Sequence, residues 1–145
     1  MIKMIKLISI FFILLNFLNS ASAENIFFEE GKIKYNEKKY EESKFLFQRS
    51  IVFNPKDHHS YLYLAKIYNH QDNKREEQKN INTVLLLSPK NEEANYLLME
   101  IELKKSNYSR VRELANNFSK ICDKLCDKKI SILESLENLE PKNES

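Results

Sequence analysis

The sequence Pro55-Lys56-Asp57 recurs further along the chain as Pro89-Lys90-Asn91. The two copies are separated by a 34-residue period, and a fixed period of this length in which a proline closes each unit is typical of stacked helix-turn-helix repeats. One such unit cannot bury its apolar face alone, so consecutive units stack and leave a concave surface that can bind other proteins. The sequence therefore predicts an α-solenoid built from pairs of helices.

Apolar residues at three- and four-residue steps extend this period in both directions and predict amphipathic helices. The predicted helices cover residues 25–36, 40–53, 58–70, 74–87, 92–104, 108–121 and 126–139. The first six form three repeats, at residues 24–57, 58–91 and 92–122. The seventh is a capping helix whose apolar side carries Ile130, Ile132, Leu133, Leu136 and Leu139. We expect residues 140–145 to be a flexible tail.

Composition and capping residues support the same all-α fold. One glycine and three prolines are too few for strands joined by tight turns. Asp57 and Asn91 each stand at the start of a predicted helix, where their side chains can cap free backbone amides. Gly31 and Ala65 are one repeat period apart, each in the middle of a first helix, and a small residue there lets the paired helix approach closely.

The N-terminal segment has the three parts of a signal peptide. Lys3 and Lys6 are basic, residues 7–18 are largely apolar, and Ala21-Ser22-Ala23 is a small-residue cleavage site. The apolar part is shorter than the ~20 residues that a membrane-spanning helix needs. We therefore predict cleavage after Ala23 and a periplasmic or secreted domain at residues 24–139. The alternative is an uncleaved segment that anchors the chain in a membrane.

The charge balance argues against binding to nucleic acid. The chain has 23 basic and 21 acidic residues, and the predicted signal peptide holds two of the basic ones, Lys3 and Lys6, and no acidic residue. The mature domain would thus have no net charge. A neutral domain exerts no general attraction on nucleic acid or on anionic lipid.

Enzymatic chemistry has little support in the sequence. There is no glycine-rich phosphate loop and no nucleophile elbow. The acidic pairs Glu76-Glu77 and Glu92-Glu93 fall at helix starts, where acids complement the helix dipole. His58, His59 and His70 lack the spacing of a helical metal-binding pair. We predict no enzymatic activity, no cofactor, no metal and no small-molecule substrate.

Cys122 and Cys126 are the only cysteines of the chain. The predicted signal peptide directs the chain to an oxidising compartment, where disulfides persist. In a straight helix their Cα atoms would lie ~6 Å apart, near the outer edge of disulfide geometry, but a junction between helices can adapt. We predict a disulfide that joins the last repeat to the capping helix. Two free thiols are the alternative.

These repeats resemble the tetratricopeptide repeat family from residue 24 to about residue 122. The residues that carry the resemblance, as expected packing positions, are Gly31, Tyr40, Phe47 and Pro55 in the first repeat, Leu64, Ala65, Tyr68 and Pro89 in the second, and Leu98, Tyr108 and Ala115 in the third. Lys74 stands where the family usually has an aromatic residue, and Glu77 where it usually has a small one. The third repeat lacks a closing proline.

The resemblance implies that the first helix of each pair lines a concave groove that binds a peptide or helix of a partner protein. The candidate groove residues are Lys32, Asn36, Tyr63, Lys66, Asn69, His70, Glu100 and Lys104. Lys32 and Lys66 are one repeat period apart and would stack on neighbouring turns of the groove. We expect a non-enzymatic adaptor of the bacterial cell envelope. A self-assembling structural or accessory subunit is the alternative.

Overall fold

The structure, a computed structural model, describes residues 26–140. The predicted signal peptide and all but the first residue of the predicted tail lie outside this range. The helices are α1 (residues 26–36), α2 (Tyr40–Phe53), α3 (His58–His70), α4 (Lys74–Leu87), α5 (Glu92–Lys104), α6 (Tyr108–Phe118) and α7 (Cys126–Leu139). Residues 26–140 contain no strand, and none of the helices in this range is long and apolar enough to cross a membrane.

Each helix packs against the next along the chain, and α7 packs on both α5 and α6. The result is a stack of three helix pairs, α1/α2, α3/α4 and α5/α6, closed by a terminal helix. The predicted all-α solenoid is confirmed. The bounds of α2, α3, α4, α5 and α7 are those expected from the sequence.

The turn inside each pair has the same backbone geometry. Lys38, Asp72 and Ser106 occupy the same position of consecutive repeats, and all three have a positive φ, of 60°, 52° and 58°. In each turn the amide of this residue donates to the carbonyl oxygen three residues earlier. A non-glycine residue in this left-handed region costs on the order of 1 kcal/mol, so the surrounding packing must hold it there. The 34-residue period of the sequence therefore also appears in the backbone conformation of the turns.

Side-chain caps start α3, α4 and α5. The Asp57 carboxylate accepts hydrogen bonds from the amides of His59 and Ser60, at 3.0 and 3.2 Å, and the Asn91 side chain accepts from the amide of Ala94 at 2.9 Å. Both predicted caps are confirmed, and Asn73 caps α4 in the same way.

Two of the expected packing positions do not pack. Pro55 and Pro89 are exposed. Each follows the last residue of its helix by two positions, where a ring without an amide hydrogen prevents the helix from continuing. Their role is to end helices, and the interior is filled by other members of the set.

The interior forms one large and one small cluster. The large cluster runs from α3 to α7 and includes Ile81, Met99 and Phe118, all fully buried. The small cluster lies between α1, α2 and α3, and centres on Phe47 and Ile67. Aromatic side chains of α1 and α3 surround it. This second cluster determines how the first two pairs meet.

The C-terminal region corrects two expectations. Helix α6 ends at Phe118 rather than at residue 121, because residues 119–121 form a tight turn in which the Ile121 amide donates to the Phe118 carbonyl at 3.1 Å. This turn brings the chain round to α7. On α7 itself Ile132 and Leu136 are buried, whereas Ile130 and Leu139 are 61% and 58% exposed. The buried side of α7 is thus narrower than the five apolar residues of its sequence predict.

Gly31 generates the first testable prediction. A Cβ atom at this position would lie 2.9 Å from the Phe47 ring, which is fully buried and cannot move aside. Gly31→Ala should therefore lower the free energy of unfolding by about 1–3 kcal/mol, although alanine is the better helix former. Chemical denaturation would measure the loss.

Phe47→Leu provides the control for this prediction. Removing ring atoms relieves the contact, so Gly31→Ala should cost less in the Phe47→Leu background than in the natural chain. An equal cost in both backgrounds, or a stabilised Gly31→Ala variant, would contradict the packing role of Gly31.

Candidate functional site

Helices α1, α3 and α5 share a surface on which equivalent repeat positions follow one another. Six of the eight predicted groove residues fall into two sets of three, and the members of each set occupy the same position of consecutive repeats. The first set is Lys32, Lys66 and Glu100, and the second is Asn36, His70 and Lys104. Tyr63 and Asn69 complete the prediction from α3. The side-chain contacts show which of these residues come together.

Aromatic rings form the floor of this surface where α1 meets α3. The ring centroid of Tyr63 lies 5.2 Å from that of Tyr35 and 5.9 Å from that of Phe28, both in edge-on arrangements. On its other side Tyr63 stacks on Phe47 at 4.7 Å. Tyr63 is half-buried, so its ring belongs both to the interior and to the groove.

The two predicted lysines are already paired with carboxylates. Lys32 Nζ lies 3.0 Å from Glu29 Oε2, one turn earlier on α1, and this hydrogen bond raises the pKa of Lys32. Lys66 Nζ lies 2.5 Å from Glu93 Oε1 on α5 and 4.9 Å from the centroid of the Tyr63 ring. Ion pairs open to solvent contribute little to stability. A ligand carboxylate can therefore exchange with them at low cost.

Three of the predicted groove residues line one cavity of about 210 Å³. Its lining residues are Tyr35, Ala65, Lys66, Asn69, His70, Glu77, Glu93 and Leu97. The Asn69 amide donates to Glu77 Oε1 at 2.7 Å. Glu77 is only 6% exposed, and a buried carboxylate needs such a donor. Asn69 thus explains how the second repeat accepts an acid where a small residue is usual.

His70 lies at the edge of this cavity, and its ring stacks on the ring of Tyr40. The two rings are 4.5 Å apart and nearly parallel, and Tyr40 Oη lies 3.3 Å from His70 Nε2. At the next junction the equivalent residues are Lys74 and Lys104, which cannot stack. A depression of about 450 Å³ opens there over Ile101. Lys104 lies in this second depression, apart from the cavity at His70.

The two remaining predicted residues are Asn36 and Glu100. Asn36 is exposed at the end of α1. Glu100 accepts a hydrogen bond from the Tyr96 hydroxyl at 2.7 Å, and burial together with this bond raises the pKa of Tyr96 to about 12. Neither residue lines the cavity around Lys66.

Sequence reasoning missed Tyr35, Glu77 and Glu93 as cavity residues. Tyr35 stands one repeat period before Asn69, so the period could have identified it. The sequence pattern predicts only that Glu93 is an acid in the first turn of α5. Its contact with Lys66 joins neighbouring helices across the surface, and no interval along the chain indicates that contact.

Comparison with solved structures identifies the architecture. The structure superposes on the TPR2B domain of yeast Sti1 in its complex with pHsp70, with a TM-score of 0.74 and 11% identity over 81% of this chain and 98% of the other. The TPR domain of Arabidopsis OM64 gives a TM-score of 0.72 and 13% identity over 82% and 98%. This chain has the tetratricopeptide-repeat fold.

A bacterial structure shares the same fold. The Yersinia enterocolitica type III secretion chaperone SycD, in complex with a peptide of the translocator YopD, gives a TM-score of 0.70 and 15% identity over 79% of this chain and 92% of the other. No family model matches the sequence, and no curated protein matches it.

The predicted disulfide closes the tetratricopeptide-repeat stack at its C-terminal end. Cys122 follows the turn after α6, Cys126 is the first residue of α7, and their sulfur atoms are bonded with the Cα atoms 5.2 Å apart. The loop between them contacts α5. Glu92 Oε2 accepts hydrogen bonds from the amides of Lys124 at 3.0 Å and Leu125 at 2.8 Å.

These backbone contacts predict that the stability of the loop depends on pH. The amides of Asp123, Leu125 and Lys124 donate to the Glu92 carboxylate and hold its pKa below the usual glutamate value. A carboxyl group whose pKa is lowered in the folded state stabilises the fold above its unfolded-state pKa. That contribution is lost as the pH falls through the folded-state pKa.

Glu92→Gln should therefore lower the melting temperature at pH 7, because the loop amides lose a charged acceptor. The difference from the natural chain should begin to shrink as the pH falls below about 4.3, the unfolded-state pKa of glutamate, and should disappear only below the lowered folded-state pKa of Glu92. Thermal unfolding across this pH range measures it. Glu113→Gln is the control, since the Glu113 carboxylate pairs with Arg110 on its own helix and with no other residue of the described range 26–140. A difference of constant size down to about pH 3 would contradict the role given to Glu92.

Proposed function

We propose that this chain is a non-enzymatic protein-interaction module of the bacterial cell envelope. It binds a peptide or helix of a partner protein in the groove formed by α1, α3 and α5. The observation that carries the proposal is the cavity in which an aromatic residue, Tyr35, adjoins the Lys66–Glu93 ion pair and the polar side chains of Asn69 and His70.

The chemistry of the groove suits an extended or helical protein segment. Tyr35, Tyr63 and Phe28 offer ring surface to an apolar side chain, and aromatic residues are typical anchors of protein interfaces. Lys66 and His70 at the rim can bind carboxylate or main-chain oxygen atoms. A cavity of about 210 Å³ has room for one side chain of a partner and is smaller than the roughly 300–1,000 Å³ of sites that bind drug-sized ligands.

The solved structures add indirect support. The Yersinia chaperone holds a peptide of its translocator, and the yeast domain is in complex with pHsp70. These two proteins are 11–15% identical to this chain and share its fold. Their binding partners are known for them and are not transferred to this chain. Their example supports a protein ligand as the class to test first.

The location in the envelope rests on the N-terminal sequence. Residues 1–23 have the basic, apolar and small-residue parts of a signal peptide, and the cysteine pair is bonded as in proteins of oxidising compartments. Expression of the full chain in an exporting bacterium should yield a periplasmic protein that begins at Glu24. Intact-mass measurement checks both the cleavage and the disulfide, and a full-length reduced protein in the cytoplasm would contradict the location.

Charge reversal in the groove tests the binding function. In the variant with Lys32→Glu and Lys66→Glu, each new carboxylate faces Glu29 or Glu93, which makes the surface acidic and repels the carboxylates that it would otherwise bind. The variant and the natural chain are each immobilised and exposed to envelope extract of the source bacterium, and the retained proteins are compared quantitatively. We expect at least one protein to be depleted about tenfold or more by the variant.

The matched control is the variant with Lys90→Glu and Lys120→Glu, which makes the same charge change at exposed positions in the turns before α5 and after α6. It should retain the same proteins as the natural chain. Thermal unfolding of both variants checks that the stack is intact. Equal retention by the groove variant and the natural chain would defeat the assignment of the groove.

A further inference from the structure

The outer face of α1 lacks the cover that the equivalent helices have. Ile33, Ile67 and Ile101 occupy the same position of consecutive repeats. Ile67 is fully buried and Ile101 is 6% exposed, because α2 and α4 pack over α3 and α5. Ile33 is 57% exposed. Within the described residues, no helix precedes α1 to cover it.

A neighbouring residue of α2 extends this apolar surface. Phe45 is 58% exposed, although the equivalent positions of the other repeats carry the charged residues Lys79 and Glu113. Phe45 and Leu46 line an open depression of about 420 Å³ at the seam between α1 and α2. An exposed phenylalanine where the other repeats place a charge indicates that this end of the stack meets an apolar surface. We call the surface that carries Ile33, Phe45 and this depression the N-terminal face.

Two charges on this face have no opposite partner within the described residues. Glu30 lines the seam from α1 and makes no ion pair with residues 26–140. Arg49 on α2 lies over the rings of Phe27 and Phe45, at 4.1 and 5.7 Å, and contacts no described carboxylate. Each chain thus presents an acid and a base, on different helices, beside the exposed Phe45 ring at a seam that Lys34, Glu41 and Glu42 also line.

We propose that the N-terminal face is the interface of a two-fold symmetric homodimer. In such an interface the same patch meets itself, so Glu30 of one copy faces Arg49 of the other, and the reciprocal pair forms on the opposite side of the axis. Ile33 and Phe45 of both copies are buried between these pairs. The self-complementary charges favour a second copy over an unrelated helix, because one chain supplies both members of each pair.

The dimer leaves the proposed groove accessible. The N-terminal face lies on the outside of α1 and α2, whereas the groove residues Lys66, Asn69 and His70 lie on α3. A dimer therefore presents two grooves to its partners. Loss of the dimer and loss of groove binding are independent outcomes, since they depend on different residues.

Reversing the charges of Glu30 and Arg49 tests whether this face associates with a second copy of itself. The full chain is expressed with its signal peptide in an exporting bacterium, and the isolated protein is measured by sedimentation velocity from about 1 to 100 µM. We expect the natural chain to shift from monomer to dimer with concentration. Glu30→Arg and Arg49→Glu should each be monomeric alone, because each places like charges across the axis. An equimolar mixture of these two variants should recover the dimer.

Apolar substitutions complete the experiment. Ile33→Glu should weaken dimerisation about tenfold or more, because it puts a carboxylate at the centre of the interface. Leu86→Glu is the matched control, an equal change at a residue that is 81% exposed on α4, and it should leave dimerisation unchanged. A natural chain that stays monomeric to about 100 µM overturns the proposal. So does a dimer that survives Ile33→Glu, or a mixture of the charge variants that remains monomeric.

Discussion

Phe47 is the central side chain of the cluster that joins the first two repeats. Its ring is fully buried, lies against Gly31 of α1 in the space that a Cβ atom would occupy, and stacks on Tyr63 of α3 at 4.7 Å. On the same helix the Ser43 hydroxyl donates to the Gly31 carbonyl at 2.9 Å. A single position of α2 therefore contacts both α1 and α3 and limits how closely α1 can approach. The groove between these helices inherits its geometry from that contact.

The helices could be predicted because their boundaries have local causes. Asp57 and Asn91 cap helices with their own side chains, and prolines two residues earlier end the preceding ones, so each boundary depends on a few adjacent residues. The predicted end of α6, at residue 121, is wrong because the position of this boundary does not depend on adjacent residues alone. Ile121 continues the apolar pattern, but the chain has to turn before Cys122 in order to reach Cys126.

The groove was predictable as a surface but only partly as a set of contacts. The repeat period correctly assigns Lys66, Asn69 and His70 to one helix, and these three residues do meet at one cavity. It does not show that Lys66 pairs with Glu93 or that Asn69 bonds to Glu77, since both contacts cross between helices at other intervals. Glu77 departs from the repeat pattern of the family, yet its buried carboxylate accepts a hydrogen bond from Asn69.

The two ends of the stack differ in what holds them, and this affects the groove. In a repeat protein each pair gains stability mainly from its neighbours, so a terminal pair with one interface is the first to open. At the C-terminal end α7, the disulfide and the contact of Glu92 with the loop supply additional support. At the N-terminal end of the described residues, α1 and α2 rely on the cluster around Phe47. Tyr35 of α1 lines the cavity at Lys66, so fraying of α1 would open the cavity on that side. Lys66, Asn69 and His70 would keep their positions, because α3 also packs on α2 and α4.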